Sequence, residues 1–221
     1  MRVLVTAGST NIPIDQVRVI SNIFSGRTGT DIADYFACRG AEITILTSNR
    51  AIAAHCHETV NIIPYKTFDE LETAMTDVFA NNKFDVVIHS AAISDYRVAG
   101  VMVQQDGSLI DLDRSNKISS SHEEMFLRLT QTPKLVDNIR DPWGFKGLLV
   151  KFKLQVGMTD EELIDIATKS MHQSNADMIV ANCLEWAKER AYIINKKDDI
   201  ISTTRKSLAH ELYTAVIGEL S

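Results

Sequence analysis

Short apolar runs alternate with amphipathic segments along most of this chain. The runs at 2–8 (RVLVTAG) and 84–92 (FDVVIHSAA) are rich in the β-branched residues that favour strands. The segments at 29–40 (GTDIADYFACRG) and 68–80 (FDELETAMTDVFA) instead repeat apolar residues at the spacing of a helix. Strands separated by helices pair in parallel, because each helix carries the chain back to the starting edge of the sheet. The alternation therefore predicts an α/β fold with a doubly wound, mostly parallel sheet.

The same alternation continues along the rest of the sequence and predicts a single Rossmann-like domain over residues 1–221. Further strands are predicted at 42–48, 147–154, 177–182 and 190–196, and further helices at 132–139, 159–173 and 205–220. The helix at 132–139 is expected to begin with Thr132 as its N-cap and Pro133 in its first turn. Only 97–121 departs from the pattern, because it is polar and broken by glycine. We expect a flap or hairpin there, beside the site and outside the core.

Composition excludes several classes of protein. No apolar run reaches the length that crosses a membrane, and the net charge of −6 does not favour a nucleic-acid partner. The three cysteines show no metal-binding spacing and fit a reducing compartment. We therefore expect a cytoplasmic protein that binds neither membranes nor nucleic acid.

Two loops rich in glycine and hydroxyl groups are predicted at the carboxyl edge of the sheet. TAGST at 6–10 ends the first strand, and SGRTG at 25–29 precedes the first helix. Ligands of open α/β sheets bind at this edge, and the first turn of a helix attracts anions. Either loop alone could be an ordinary turn, but two loops that converge favour a nucleotide. The candidate contacts in them are Gly8, Ser9, Thr10, Ser25 and Gly26.

Neither loop is a Walker A sequence or a complete G-x-G-x-x-G motif. The position after the second strand, where an NAD site carries an acidic residue, reads TSNR and ends in Arg50. This disfavours NAD but leaves NADP open, so an NADP-dependent short-chain oxidoreductase is one alternative function. Tyr192 and Lys196 satisfy its Y-x-x-x-K pattern, with Ser90 as a partner, although that pattern works on a helix and these residues lie in a predicted strand.

The stretch PIDQVRVISN lies between the two loops. Together with TAGST before it and HSAAISDYR at 89–97, it resembles the phosphopantothenate–cysteine ligases of coenzyme A biosynthesis. Supporting matches follow in the same order at 116–120 (NKISS), 132–136 (TPKLV), 151–154 (KFKL) and 175–182 (NADMIVAN). The resemblance covers nearly the whole chain, and it is greatest to the stand-alone form of streptococci and related bacteria, which has no flavin decarboxylase domain.

Some positions differ from the usual residues of that family. Ser9 and Lys151 stand in place of glycines, and Ser119, Ser120 and Ser174 stand in place of lysines. Lys169 lies one residue away from the register of a further family lysine. These differences keep open a third function, that of a nucleotide-binding regulatory protein with a decayed ligase site.

The resemblance implies a ligase that joins 4′-phosphopantothenate to L-cysteine. A carboxylate does not form an amide unaided, so the implied route passes through an acyl-nucleotide formed from CTP with release of pyrophosphate. The resemblance also implies Mg²⁺ held mainly by the triphosphate, a homodimer, and association with a separate phosphopantothenoylcysteine decarboxylase. Apolar residues of the flap, Val101, Met102 and Val103, are the only support for the dimer in the sequence itself.

Roles for individual residues follow from the same resemblance. Asn22 offers a neutral amide to the acyl oxygen, Arg18 steadies an anion, and Lys117 on the flap neutralises the triphosphate. Asp95 stands where the base or ribose is recognised. The remaining implied nucleotide contacts are His89, Ser90, Ala91, Pro133, Lys134, Leu135, Val136, Phe152 and Lys169, in addition to the loop residues.

Overall fold

The computed structural model describes residues 1–221 and contains thirteen strands and six helices. The strands are β1 (Arg2–Ala7), β2 (Asn11–Pro13), β3 (Val19–Ser21), β4 (Glu42–Thr47), β5 (Asn61–Pro64), β6 (Val86–His89), β7 (Tyr96–Gln105), β8 (Ser108–Asp111), β9 (Phe126–Gln131), β10 (Leu148–Gln155), β11 (Met178–Cys183), β12 (Arg190–Asn195) and β13 (Ile200–Thr204). The helices are α1 (Arg27–Ala37), α2 (Arg50–Ala53), α3 (Phe68–Asn81), α4 (Leu135–Asn138), α5 (Asp160–Gln173) and α6 (Leu208–Leu220).

Eight strands form the main sheet, in the order β13–β12–β11–β10–β6–β1–β4–β5. The six strands from β11 to β5 in this order run parallel to one another. At one edge β12 pairs antiparallel with β11, and β13 pairs antiparallel with β12. Successive strands are added on one side of β1 and then on the other, so the winding direction reverses between β1 and β6. This arrangement confirms the predicted doubly wound, mostly parallel α/β fold, and a crevice for ligands is expected at the carboxyl ends of these two strands.

Helices cover both faces of the main sheet. On one face α1 and α6 pack around Phe36 and Leu212, and on the other α3, α4 and α5 pack around Leu71, Leu135 and Leu163. α3 and α5 each begin with a complete capping box, in which a threonine and a glutamate satisfy the free amides of the first turn. No helix combines the length and the apolar character that crossing a membrane requires.

A smaller part of the molecule, which we call the side lobe, is built from chain that leaves the carboxyl ends of β1 and β6. It consists of the β2–β3 ribbon and the three-stranded antiparallel sheet β8–β7–β9. The predicted hairpin within 97–121 is therefore confirmed as β7–β8. The expectation that this segment lies outside any core is wrong, because Val98, Val101 and Ile118 are buried with Ile12 in a cluster of their own. The strand is irregular between Val98 and Gly100, which shifts the alternation of buried and exposed residues, and the polar residues at its two ends conceal the apolar pattern.

The helix predicted at 132–139 is reduced to the short α4. Thr132 is not its N-cap: the Thr132 hydroxyl donates to the carbonyl of Ser94 at 2.7 Å, and the Thr132 amide donates to the carbonyl of Asp95 at 2.9 Å. These bonds hold the segment against the loop after β6, so the helix starts only at Leu135. The strands that were not predicted, β2, β3, β5, β9 and β13, are short and mostly exposed, and so lack the apolar runs that reveal a buried strand.

Candidate active site

The two glycine-containing loops touch each other through their backbones. Gly26 has a left-handed φ of 85°, and a Cβ atom placed on it would lie 2.6 Å from the amide nitrogen and 2.9 Å from the Cα of Gly8. Gly8 also has a left-handed φ, of 91°, and a Cβ there would collide with the Ser48 side chain. Both positions therefore require glycine, and the predicted convergence of the loops is what the structure shows.

The start of α1 lies in this loop pair and has free amide groups. Gly26 is its N-cap, and no side chain caps the helix, in contrast to α3 and α5. Gly29, in the first turn, allows close approach to β6, since a Cβ on it would lie 2.5 Å from the Ser90 hydroxyl oxygen. Ser25 precedes the helix and is exposed. Uncapped amides at a helix N-terminus, together with the helix dipole, can hold a phosphate or carboxylate.

The hydroxyl groups of the first loop are used within the protein. The Ser9 amide donates to the Ser48 hydroxyl at 2.9 Å, and the Ser9 and Ser21 hydroxyls lie 3.0 Å apart. The Thr10 hydroxyl accepts from the Ser94 amide at 2.9 Å, and Thr10 is fully buried. The side chains of Ser9 and Thr10 therefore shape the loop, which corrects the expectation that the Thr10 side chain contacts the nucleotide.

The end of β6 is held by Thr6 of β1. His89 is buried, and its Nδ1 lies 3.0 Å from the Thr6 hydroxyl, which also accepts from the Ala91 amide at 3.2 Å. The Ser90 hydroxyl donates to the Thr6 carbonyl at 2.6 Å. Burial, with a smaller effect of the Lys151 ammonium, lowers the pKa of His89 to about 4, so the ring is neutral at pH 7. A neutral His89 supplies no positive charge to a bound triphosphate, and the hydrogen bonds of His89, Ser90 and Ala91 hold the end of β6 against β1.

Asp15, in the turn between β2 and β3, is a site residue that the sequence analysis missed. Its carboxylate is buried and accepts from the amides of Val17, Arg18 and Ile118 at 2.8–3.1 Å, as well as from the Arg18 guanidinium. The Arg18 hydrogen bond keeps the pKa of Asp15 well below its usual range. The bonds from Asp15 to the amides two and three residues later are those of an Asx turn, the one local signal that could have revealed it.

Arg18 acts on the segment that carries Lys117. Its charge is paired with Asp15, and its guanidinium also donates to the carbonyl of Ile118 at 3.0 Å. Asp15 and Arg18 together thus fix both backbone polar groups of Ile118, the residue after Lys117. Lys117 itself is exposed and forms no hydrogen bond or ion pair within the chain. The charge of Arg18 is thus paired within the chain, whereas the ammonium of Lys117 is unpaired and available to an anionic ligand.

Asn22 joins the side lobe to the crevice. Its Nδ2 donates to the carbonyl of Ala92 at 3.1 Å, just after β6, and its Oδ1 has no partner in the chain. The side chain is exposed and stands between the β2–β3 ribbon and the loop that contains Asp95. In the sequence Asn22 lies between the two glycine-containing loops, and its exposed side chain is available to a substrate.

The segment Pro133–Val136 lies against the Asp95 loop through the bonds of Thr132. Pro133 and Lys134 are exposed, but Leu135 is only 1% exposed in the core between α4 and the sheet. The Leu135 side chain therefore cannot contact a nucleotide, and any contact from this residue would come from its backbone.

The remaining candidates lie on β10 and α5. Phe152 packs against the cluster formed with α1 and α6, on the opposite face from α4 and α5. Lys169 is exposed and paired with Asp165 at 2.6 Å. Lys151, by contrast, is half-buried, and its Nζ reaches the hydroxyl of Ser174 at 3.0 Å. Phe152 directly follows the Lys151–His89 pair of β10 and β6, so it lies at the carboxyl edge of the sheet on the face of α1, whereas Lys169 is on the exposed side of α5.

No group of three or more histidine, cysteine or carboxylate side chains comes together to hold a metal ion. The side chains of the chain therefore do not fit a metal held by the protein alone. The structure also disfavours the oxidoreductase alternative. Tyr192 lies on β12 and not on a helix, and its hydroxyl donates to Asp160 at 2.7 Å. Its supposed partner Ser90 is already bonded to the Thr6 carbonyl.

The sheet order and the loop pair define a doubly wound α/β protein whose ligand crevice is expected at the carboxyl ends of β1 and β6. Comparison with known proteins makes this specific. Residues 1–218 match the DNA/pantothenate metabolism flavoprotein C-terminal domain, and the chain belongs to this family. The family resemblance noted in the sequence is thereby confirmed.

Individual relatives support the same assignment. The chain is 30% identical over 222 residues to the coenzyme A biosynthesis bifunctional protein CoaBC of Thermococcus kodakarensis, covering 97% of this chain and 50% of that protein. It is 25% identical over 251 residues to phosphopantothenate–cysteine ligase 1 of Oryza sativa subsp. japonica, covering 91% and 74%. The crystal structure of the DNA/pantothenate metabolism flavoprotein from Streptococcus pneumoniae is similar with a TM-score of 0.85 at 29% identity, covering 99% of both chains. The chain spans about half the length of the archaeal CoaBC proteins that it matches.

Proposed function

We propose that this chain is a phosphopantothenate–cysteine ligase of coenzyme A biosynthesis that uses CTP. The family match over 1–218 and the names of the rice and archaeal relatives support the reaction class. The observation that carries the proposal is the contact between the Gly8 and Gly26 loops at the uncapped start of α1. Free amides at the N-terminus of a helix can bind a phosphate or carboxylate, and this supports the proposal.

The proposed reaction has two steps. A carboxylate oxygen of 4′-phosphopantothenate attacks the α-phosphorus of CTP, the bond to the β-phosphate oxygen breaks, and pyrophosphate leaves. The amine of cysteine then attacks the carbonyl carbon of the acyl-CMP, CMP leaves with the former carboxylate oxygen, and the amine loses a proton. Activation is required because an oxide ion is a far poorer leaving group than CMP.

The chain's own residues have separate tasks in this scheme. Because both substrates are anionic, the site must offset their repulsion, and the α1 amides and Lys117 are the groups suited to it. Asn22 presents an uncharged amide, which can donate to an oxyanion without adding a charge that must be desolvated. Asp15 and Arg18 position the Lys117 segment and do not themselves react.

The replacement of family lysines by Ser119 and Ser120 favours a second candidate, a nucleotide-binding protein that has lost ligase activity. Both serines are exposed, and their segment contributes no second cation beside Lys117. This candidate predicts CTP binding without turnover, so one assay separates the two.

The test measures pyrophosphate release from CTP and from ATP, with and without 4′-phosphopantothenate and cysteine. We expect release that depends on phosphopantothenate and is faster with CTP. Mass spectrometry without cysteine should detect acyl-CMP, and with cysteine the amide product. CTP binding without pyrophosphate release would favour the decayed site, and equal or faster release with ATP would overturn the nucleotide choice.

The remaining expectations are a Mg²⁺ ion bound with the triphosphate, a cytoplasmic location, a homodimer and association with a separate decarboxylase. The residues first offered for the dimer do not support it, because Val101 and Val103 are buried inside the side lobe. Exposed apolar side chains lie instead on and beside the β2–β3 ribbon, for example Val17 and Ile23. Light scattering at working concentration would test the dimer, and a fully active monomer would refute it.

A further inference from the structure

A cleft lies between the side lobe and the start of α3. Its volume is about 230 Å³, and it is lined by β2, the beginning of β7 and Arg114 of the side lobe and by Thr67–Asp69 of the main body. The two parts are joined beside the cleft, since the amide of Asn11 donates to the carbonyl of Lys66 at 2.7 Å. None of the lining residues is among those assigned above to a substrate, so this cleft is separate from the candidate active site.

Two arginines on the side-lobe wall have no carboxylate partner. Arg114 is half-buried, and each of its three guanidinium nitrogens donates to one backbone carbonyl at 2.6–2.9 Å. A guanidinium has five N–H groups, so one N–H on each terminal nitrogen is left unused. Arg97 is exposed and forms no hydrogen bond or ion pair within the chain. Arginine N–H groups bind carboxylates well, so this wall suits a ligand with a carboxylate.

The opposite wall carries a negative charge. Asp69 lies in the first turn of α3, is exposed and pairs with no cation of the chain, and the helix is capped by other residues. The cleft also includes the buried apolar residues Ile12, Phe68 and Val98. Positive charge on one wall, negative charge on the other and an apolar lining together match a ligand that has a carboxylate, an ammonium group and a short apolar chain.

We propose that this cleft binds a small zwitterion, an α-amino acid with an apolar side chain. Its carboxylate binds to Arg97 and to the unused N–H groups of Arg114, and its ammonium group binds to Asp69. The volume supports a ligand of this size, because pockets for drug-sized molecules measure about 300–1,000 Å³. A phosphate or a nucleotide fits less well, because the Asp69 carboxylate would repel it.

The test uses three probes of similar shape. L-leucine carries both charges, 4-methylpentanoate lacks the ammonium group, and 3-methylbutylamine lacks the carboxylate. Two-dimensional NMR titration at pH 7 measures the Kd of each probe and shows which backbone amides respond. L-leucine should bind the wild type with a Kd below about 1 mM and should shift the amides of Asn11 and Arg97. Each singly charged probe should bind about 10-fold more weakly, because one charge-assisted hydrogen-bonding group is lost.

Three variants locate the two charges of the ligand. Arg97→Met should reduce the preference for L-leucine over 3-methylbutylamine and leave its preference over 4-methylpentanoate unchanged. Asp69→Asn should have the opposite effect on the two preferences. Arg128→Met is the matched control, because Arg128 is an exposed arginine of the same lobe outside the cleft lining. It should bind all three probes like the wild type, and thermal unfolding shows that each variant is folded.

Clear results would overturn the proposal. These are a wild type that does not bind L-leucine, Kd values that neither Arg97→Met nor Asp69→Asn changes, and shifts confined to the amides of Gly8 and Gly26. The titration contains no nucleotide, so its outcome is independent of the proposed function. If L-leucine binds in the cleft but CTP yields no pyrophosphate, the cleft assignment stands and the ligase function fails. If pyrophosphate is released and L-leucine does not bind, only the cleft assignment fails.

Discussion

The contact between the two site loops predicts a large effect of a single methyl group. In Gly26→Ala the new Cβ would lie 2.6 Å from the Gly8 nitrogen and 3.2 Å from the carbonyl carbon of Ala7, so backbone must move to accommodate it. The left-handed φ of Gly26 adds about 1–2 kcal/mol for a residue with a Cβ. Forced backbone shifts in a packed region add about 1–3 kcal/mol. We therefore expect Gly26→Ala to lower the free energy of unfolding by about 2–5 kcal/mol.

Gly107→Ala is the matched control. Gly107 has a similar φ of 78°, but a Cβ there would meet nothing within 4 Å. It should therefore lose only the conformational contribution of about 1–2 kcal/mol. The difference between the two variants isolates the loop contact, since both replace a left-handed glycine by alanine.

Thermal unfolding followed by circular dichroism measures both variants. At about 2–4 °C per kcal/mol for a chain of this size, Gly26→Ala should melt at least 4 °C below the wild type and clearly below Gly107→Ala. CTP affinity should fall in Gly26→Ala at temperatures where it remains folded, and not in Gly107→Ala. Equal melting temperatures of the two variants would refute the inference that the loops are in backbone contact.

Three further changes address single residues. Lys117→Ala should reduce the rate of pyrophosphate release about 100-fold without altering the melting temperature, because an exposed cation is lost from the site. A rate near that of the wild type would contradict the role of Lys117 in neutralising the triphosphate. Asn22→Asp should still bind CTP and form acyl-CMP but make little of the amide product, because a carboxylate repels the oxyanion. Single turnovers followed by mass spectrometry measure both compounds. Amide formation at the wild-type rate would show that Asn22 is only a turn residue. The folded-state pKa of His89, about 4, lies below its ordinary value of 6.5, so the unfolded chain takes up the proton first and stability falls as pH decreases from 6.5 towards 4. His89→Gln should remove up to about 3 kcal/mol of that decrease in urea unfolding at pH 7 and pH 4.5, and identical pH slopes would contradict the neutral buried ring.

The main sheet could be predicted because its signals are local. A run such as VVIH in β6 is apolar enough to identify a strand covered on both faces, and the Thr159 cap with its acidic first turn identifies the start of α5. The side lobe could not be predicted in the same way. Its strands are short and half-exposed, and its few buried residues, such as Val101 and Ile118, come from separate parts of the chain.

The site shows the same limit. Gly8 and Gly26 were found because glycine in a loop is itself a signal, whereas the partner of Asp15 is Ile118, 103 residues away. The sequence around Asp15 shows an Asx turn but not what that turn holds in place. Leu135 was assigned to the nucleotide because a motif does not distinguish a side chain from the backbone that carries it, and burial then excluded the side chain.

The rates of amide hydrogen exchange should differ between the side lobe and the main sheet, because their hydrophobic clusters differ in size. The side lobe has four buried residues in its core, against 22 and 20 in the clusters on the two faces of the main sheet. Less buried apolar surface means a smaller free energy of local opening, so the amides of β7 to β9 exchange without unfolding of the main sheet. Those at the centre of β1 and β6 exchange only on global unfolding. Lys117, adjacent to the small core at Ile118, therefore belongs to the rapidly exchanging part of the protein, and Val5, at the centre of β1, belongs to the slowly exchanging part.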